Sequence, residues 1–193
     1  MIYEWRSYRF APGQATAYLA AFQAEGLPLV ARHLPMLGYW LTECGRLNML
    51  HHLWVYRDLE DRAARRLRLA ADADWTAGFG PRAFPMIAAQ ESLVLALEGG
   101  SPRLAAAAAA ADAPPPGDAP ALAPAWFALE IFEAPPPPAE GLEAVGLWRV
   151  AAGARPGRRL RLLRGETAGE ALRASGPAER RELLRPAGFS PLR

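Results

Sequence analysis

Apolar Tyr3 and Trp5 alternate with polar Glu4 and Arg6 inside Ile2–Phe10 (IYEWRSYRF), a stretch rich in β-branched and aromatic residues that predicts a strand, broken by Pro12–Gly13. Tyr18, Leu19, Phe22, Leu29 and Val30 then fall at roughly helical spacing, so 14–32 reads as an amphipathic helix. LGYWLTEC (37–44) and NMLHHLWVYR (48–57) predict two strands around a short connection at Gly45–Arg46. Asp58 is placed to cap the next helix, with Asp61 three residues on where a capping box wants an acid. Leu59, Ala63, Leu67, Ala70 and Ala71 form its apolar stripe. Arg62, Arg65, Arg66 and Arg68 lie away from that stripe and read as a solvated face, with Asp58–Arg62 and Asp61–Arg65 as i,i+4 pairs. Met86–Leu97 predicts a fourth strand, with Glu91 interior to it.

The order β-α-β-β-α-β is that of the ferredoxin-like split unit, a four-stranded antiparallel sheet with two helices on one face. The other face needs cover, and a second sheet is expected to supply it. Residues 99–125, with the run Ala105–Ala111 followed by PPPGDAPALAP, read as an Ala/Pro-rich linker that holds at most a helical turn or two.

Residues 126–193 read as a degenerate second ferredoxin-like unit. WFALEIFE (126–133) alternates as a strand, a helical stub is expected around Glu140–Ala144, and GLWRVAAG (146–153) with RRLRLLRG (158–165) predicts a hairpin. A broken helical stretch is expected over 166–184, interrupted at Gly176–Pro177, and a final strand near Phe189–Leu192. Such a unit buries too little surface to stand alone, so its sheet is expected to pack on the 1–98 domain or on a neighbouring chain. The fold class is α+β, with tandem units whose sheets face each other as a barrel. The missing first helix and last strand leave sheet edges uncovered, which predicts a homodimer.

Composition narrows the chemistry. The chain has 193 residues, 51% of them hydrophobic and 22% charged, as in globular proteins. A formal net charge of +2 makes no general case for a nucleic-acid partner. All 22 basic residues are Arg, which excludes a Schiff-base or phosphate-binding lysine. A single cysteine, Cys44, excludes an internal disulfide and a multi-Cys zinc site. No apolar run approaches the ~20 residues of a membrane span. The first ten residues carry Glu4, Arg6 and Arg9 and do not read as a signal peptide, so a cytoplasmic location is expected. No glycine-rich loop follows a strand, and no cofactor is expected. His51 and His52 are adjacent on a strand and point to opposite faces, His33 ends a helix, and no metal site is expected. A pairing of Cys44 with His51 or His52 lacks a supporting motif. The acid-free Arg cluster at 155–164 reads as a guarded edge hairpin.

Three blocks of the first half, YEWRSY with the following PG (3–8 and 12–13), LGYWLTECGRLN (37–48) and HLWVYRDLEDRAARR (52–66), together resemble the NIPSNAP family. The resemblance implies the dimeric α/β-barrel superfamily. Some of its members are cofactor-free monooxygenases, isomerases or haem-handling enzymes, and many have no assigned role. Haem would need an axial ligand, for which His52 is the single candidate.

Strand parity defines a site. On the first strand Tyr3 and Trp5 share one face, and Glu4, Arg6 and Tyr8 the other. On the third, His52, Trp54 and Tyr56 are co-facial, opposite to His51, Leu53 and Val55. If the apolar sets pack on the helices, the opposite side collects Glu4, Arg6, Tyr8, Trp40, Thr42, His52, Trp54 and Tyr56 in the space under the second sheet. Glu4 and Arg6 also read as a buried ion pair organising the sheet. His52 is the one candidate for acid–base work. These residues point to a protein that binds a small, largely apolar molecule between facing sheets. A cofactor-free oxygenase or isomerase and a structural or adaptor protein without a ligand are the alternatives.

Overall fold

The computed structural model describes residues 1–116, 118–139, 141–173 and 178–193. Its first half runs β1 (Ile2–Phe10), α1 (Gln14–Ala21), a π-helical turn (Phe22–Gly26), α2 (Leu27–Ala31), β2 (Met36–Cys44), β3 (Met49–Tyr56), α3 (Leu59–Ala71), a second π-helical turn (Asp74–Phe79), α4 (Gly80–Ala83), a 3-10 turn (Phe84–Met86) and β4 (Ile87–Gly100). This is the β-α-β-β-α-β order expected, with the first helix threaded through a π turn. Asp58 caps α3 by accepting from the Asp61 amide at 2.7 Å.

The second half runs α5 (Pro102–Ala109), β5 (Trp126–Phe132), β6 (Glu143–Ala152), β7 (Arg159–Gly165), α6 (Ala168–Ala171) and β8 (Arg180–Pro186). Three expectations are corrected here. In place of a helical stub, Glu143 and Ala144 start β6, where they pair with Arg164 and Leu163; Glu140 lies outside the described residues. The helix expected over 166–184 is four residues long, and Arg180–Leu184 belongs to β8, with Gly176–Pro177 outside the described residues. The last strand is therefore not at 189–192; that segment packs back on β2, the Leu192 amide bonding the Leu37 carbonyl at 2.9 Å. Pairing decides all three: RRELLRP has no polar–apolar alternation of its own, and it is a strand because 180–186 joins β2 to β5.

All pairings are antiparallel, and the strands close in the order β1-β3-β2-β8-β5-β7-β6-β4. Each half contributes the same local order, fourth-first-third-second. Contacts β2·β8 and β4·β6 seal the halves into one barrel, so every strand has two neighbours. The free sheet edges that motivated a homodimer are absent among the described strands.

Side chains fill the barrel. Tyr3, Trp5, Leu37, Trp40, Leu53 and Leu95 meet Phe127, Leu129, Trp148, Val150, Leu162 and Leu184 in one buried cluster. Each such side chain contributes about 1.5–3 kcal/mol when fully buried. At the end where β4 finishes and β6 begins, Leu104 of α5, Ala111, Ala125 and Leu192 join the cluster and close the barrel. The stretch 99–125 thus supplies part of the core.

A second core lies outside the barrel. Tyr18, Leu19, Phe22, Leu27 and Val30 of the first helical layer and Leu69 of α3 cover Tyr39, Leu50, Trp54 and Tyr56 of the sheet. This reverses the expected facing. Tyr3, Trp5, Leu53 and Val55 point into the barrel, and Glu4, Arg6, Tyr8, His52, Trp54 and Tyr56 point at the helices. Trp40 stacks on Trp5 inside the barrel (centroids 5.4 Å apart), so it is separated from the set it was grouped with. Both sheet faces are covered, and hydrophobicity alone does not tell the inner face from the outer.

The stripe assigned to α3 is likewise reversed. Leu59 and Leu67 are 53% and 71% exposed, while Arg62 and Arg66 turn inward. A fully buried carboxylate, Glu4, waits there, and burying it unpaired would cost more than exposing two leucines.

Candidate functional site

Glu4 anchors the outer face of β1. Arg66 donates to its Oε2 at 2.6 Å, Arg62 to Oε1 at 2.7 Å and Arg6 to Oε1 at 3.3 Å. Ser92 of β4 donates to Oε1 at 2.6 Å, and the Tyr56 hydroxyl to Oε2 at 3.4 Å. Burial alone would push this carboxyl up; the arginines and Ser92 outweigh it and hold Glu4 far below the carboxylate range. Glu4 is therefore a fixed anion with no free lone pair to offer a substrate.

Beside it, two adjoining recesses lie between the sheet and the helices. An inner chamber of about 40 Å³ is walled by Arg6, Tyr8, Tyr18, Tyr39, His52 and Trp54 among others. An outer recess of about 250 Å³ is lined by Trp75, Phe84, Ile87 and Gln90 and shares Arg6, Tyr8, Arg66, Leu69 and Trp75 with the inner one. The inner chamber matches about one water, whose liquid volume is roughly 30 Å³.

His52 forms the wall of the inner chamber. Its ring stacks on Tyr39 (4.9 Å, 9°) and meets Tyr8 edge-on at 4.7 Å. Trp54 Nε1 donates to His52 Nδ1 at 2.7 Å, so in the neutral ring the proton sits on Nε2. Burial, with Arg6 and Arg66 nearby, pushes the imidazole well below its usual value, so it is neutral at pH 7. Nε2 is buried and has no hydrogen-bond partner among the described residues. His52 is thus equipped to donate, and the acid–base role expected of it does not fit this tautomer.

A second polar group sits inside the barrel at the end away from α5. Ser7 Oγ donates to His51 Nδ1 at 2.8 Å, and His51 Nε2 donates to Glu182 Oε2 at 3.2 Å. Arg46 Nε reaches Glu182 Oε1 at 2.7 Å. Burial and then these hydrogen bonds act on Glu182 in opposite directions, leaving it pulled down to about 2, while burial keeps His51 below its ordinary value and neutral. Above this cluster lies a barrel-mouth cavity of about 340 Å³ lined by Glu91, Leu93, Val150, Arg158, Leu160, Arg180 and their neighbours.

Of the residues expected to form a site, Glu4, Arg6, Tyr8, His52, Trp54 and Tyr56 come together, on the helix side. Trp40 and Thr42 belong to the barrel interior. Sequence reasoning missed Arg62 and Arg66, read as solvated, and Glu182, read as helical. RRELLRP does not alternate, so no local signal marked the last as a strand residue. The Arg cluster at 155–164 is drawn into ion pairs, Arg155 with Glu179 at 2.7 Å and Arg159 with Glu98 at 3.2 Å, and Arg158 lines the barrel mouth. Cys44 is exposed.

A family model described as NIPSNAP matches residues 3–102, over half of the chain. The chain belongs to the NIPSNAP family. It is 36% identical over 78 residues to Protein NipSnap homolog 3B of Mus musculus, covering 40% of this chain and 31% of that one. It is 33% identical over 93 residues to Protein NipSnap homolog 3A of Homo sapiens, covering 48% and 37%. The matches span about a third of the length of these relatives. An uncharacterized NIPSNAP domain protein from Burkholderia xenovorans is 38% identical, covering 53% of this chain and 99% of that one with a TM-score of 0.50. An anthrone oxidase-like protein, 9% identical, covers 96% of this chain and 91% of that one with a TM-score of 0.56. At that identity the likeness is one of fold, and it extends the NIPSNAP half into a full barrel. No helix among the described residues is long and apolar enough to cross a membrane.

Proposed function

We propose that this NIPSNAP-family protein binds a small, largely apolar molecule in the recess between its first sheet and the helices over it. One observation carries the reading: His52 Nε2–H is buried, lacks a partner among the described residues, and lies on a chamber walled by tyrosines and Trp54. A buried donor without an acceptor is costly, and a ligand oxygen at that chamber removes the cost. The site moves from the space between facing sheets, which side chains fill, to the helix-covered face. Glu4, Arg6, Tyr8, His52, Trp54 and Tyr56 remain the residues of the reading.

The enzymatic alternative, a cofactor-free oxygenase or isomerase, draws support from the same donor, since a neutral imidazole can polarise a carbonyl. It lacks a base: Glu4 is saturated and His52 Nδ1 is occupied. The adaptor alternative draws support from the filled barrel. The tandem ferredoxin-like reading, with 1–98 and 126–193 as copies, rests on the repeated strand order and on LGYW (37–40) recurring as VGLW (145–148). The homodimer and the cytoplasmic location are kept as proposals, the dimer now without a sheet-edge argument.

Native mass spectrometry of the purified chain, followed by thermal-shift titration with any co-purified compound, tests the reading. A compound that raises the melting temperature in wild type and in Arg158→Gln, but not in Leu69→Trp, supports it. A compound lost with Arg158→Gln and retained with Leu69→Trp would place binding at the barrel mouth instead.

A further inference from the structure

The charges around the recess do not balance. Arg6, Arg62 and Arg66 all converge on the single carboxylate of Glu4, at 3.3, 2.7 and 2.6 Å. Three guanidiniums against one carboxylate leave a surplus of two positive charges at a largely buried place: the side chains are 14%, 26% and 24% exposed, and that of Glu4 is 0%. Among the described residues, none of the three arginines has a second acidic partner. The neighbouring acids are spent elsewhere: Asp61 pairs with Arg65, and Asp112 also pairs with Arg65. The other partners of Arg6 in the recess are neutral, Gln90 Oε1 at 2.7 Å and the Tyr8 hydroxyl at 3.3 Å.

Two of these arginines, Arg6 and Arg66, line both recesses, and the Nε of each is buried without a hydrogen-bond partner among the described residues. A third unpartnered donor, His52 Nε2, lines the inner chamber. Cations withdrawn from water keep a long reach in low dielectric, and a guanidinium fork suits a carboxylate or phosphate group. The rest of the outer wall is apolar and aromatic, with Leu69, Trp75, Phe84 and Ile87. Its volume of about 250 Å³ holds roughly eight water-sized groups of about 30 Å³ each.

Resting on the recess as the binding site, we propose that the ligand is a small organic anion, a flat apolar body bearing one acid group. The acid group sits against Arg6 and Arg66 and neutralises part of the surplus. The body lies between Trp75, Phe84 and Leu69. The anion supplies an acceptor to Nε–H groups that have none among the described residues, which gives the site a preference for acids over neutral molecules of equal shape.

Matched probe pairs separate charge from shape: benzoate with benzyl alcohol, and 1- and 2-naphthoate with the corresponding naphthalenemethanols, titrated by calorimetry into the full chain. At least one acid should bind about tenfold tighter than its alcohol, and the advantage should shrink as salt rises. Arg66→Gln should abolish the advantage and Arg66→Lys should restore part of it. Where Arg66→Gln fails to fold, by circular dichroism, the salt dependence of wild type decides. Equal binding of acid and alcohol in every pair that binds overturns the anion inference and leaves the recess intact as a binding site. Binding in no pair overturns both.

Discussion

Trp40 lies so closely over Gly38 that a Cβ on the glycine would fall 1.9 Å from the indole ring. The second half repeats the arrangement: Trp148 covers Gly146, where the same atom would come within 2.2 Å. Tyr3 meets Trp148 edge-on at 5.8 Å, and Phe127 meets Trp40 edge-on at 5.7 Å. The two indoles are the large pieces around which the interior is packed.

Gly38→Ala and Gly146→Ala should therefore each destabilise the fold by about 2–3 kcal/mol, because a ring in a closed interior has nowhere to move. Gly78→Ala, with nothing within 4 Å of the added atom, should change stability by less than about 0.5 kcal/mol. Urea unfolding midpoints check the contrast. Equal midpoints for Gly38→Ala and Gly78→Ala would show that Trp40 is free to shift.

Glu4→Gln should cost about 3–5 kcal/mol, since it leaves three inward guanidiniums with no counter-charge. Arg62→Gln should cost less, because Arg6 and Arg66 still neutralise the carboxylate. Chemical denaturation gives both values. A Glu4→Gln protein as stable as wild type would mean that the cluster is solvated and Glu4 is not its keystone.

Acid should unfold the protein in two stages. His51 and His52 have folded values below the ordinary 6.5, so below that pH the unfolded chain takes up protons that the fold refuses. Stability is fully present above 6.5 and falls with decreasing pH, by up to about 1.4 kcal/mol per pH unit for each imidazole. Glu4 and Glu182 are depressed from 4.5, Glu182 to about 2, and their contribution is lost as pH falls below 4.5. The denaturation midpoint should be flat from pH 8 to 7 and steepen twice below. A His51→Asn, His52→Phe double variant should lose the upper stage. A wild-type midpoint unchanged down to pH 5 would contradict two buried neutral imidazoles.

Leu104, 1% exposed, couples the alanine helix α5 to the barrel interior. Leu104→Ala should cost about 2–4 kcal/mol through the cavity it leaves. The exposed Leu97→Ala, at 42% exposure, should cost well under half as much. Thermal unfolding of the two variants distinguishes a core helix from a tether: near-equal melting temperatures would make 99–125 only a connection.

The amino-acid sequence by itself determined the local elements of the first half and which side chains share a face. Helical and strand periods are set by neighbours a few residues apart, so IYEWRSYRF and NMLHHLWVY read correctly, and Glu4, Arg6, Tyr8, His52, Trp54 and Tyr56 were grouped rightly by parity alone. LGYW (37–40) and VGLW (145–148) share a Gly-x-Trp pattern, and in each the indole covers the glycine. Tertiary structure decided which face looks inward. In a closed barrel with helices outside, both faces are dry, both carry aromatic residues, and polarity contrast cannot choose between them. It decided as well that Arg62 and Arg66, 58 and 62 residues from Glu4, leave solvent to meet it. It placed 180–186 as a strand, since pairing with β2 and β5 outweighs any local helical preference. Periodicity is a short-range property of the chain; the partner of a buried charge and the neighbour of a strand are set by what the closed barrel brings together.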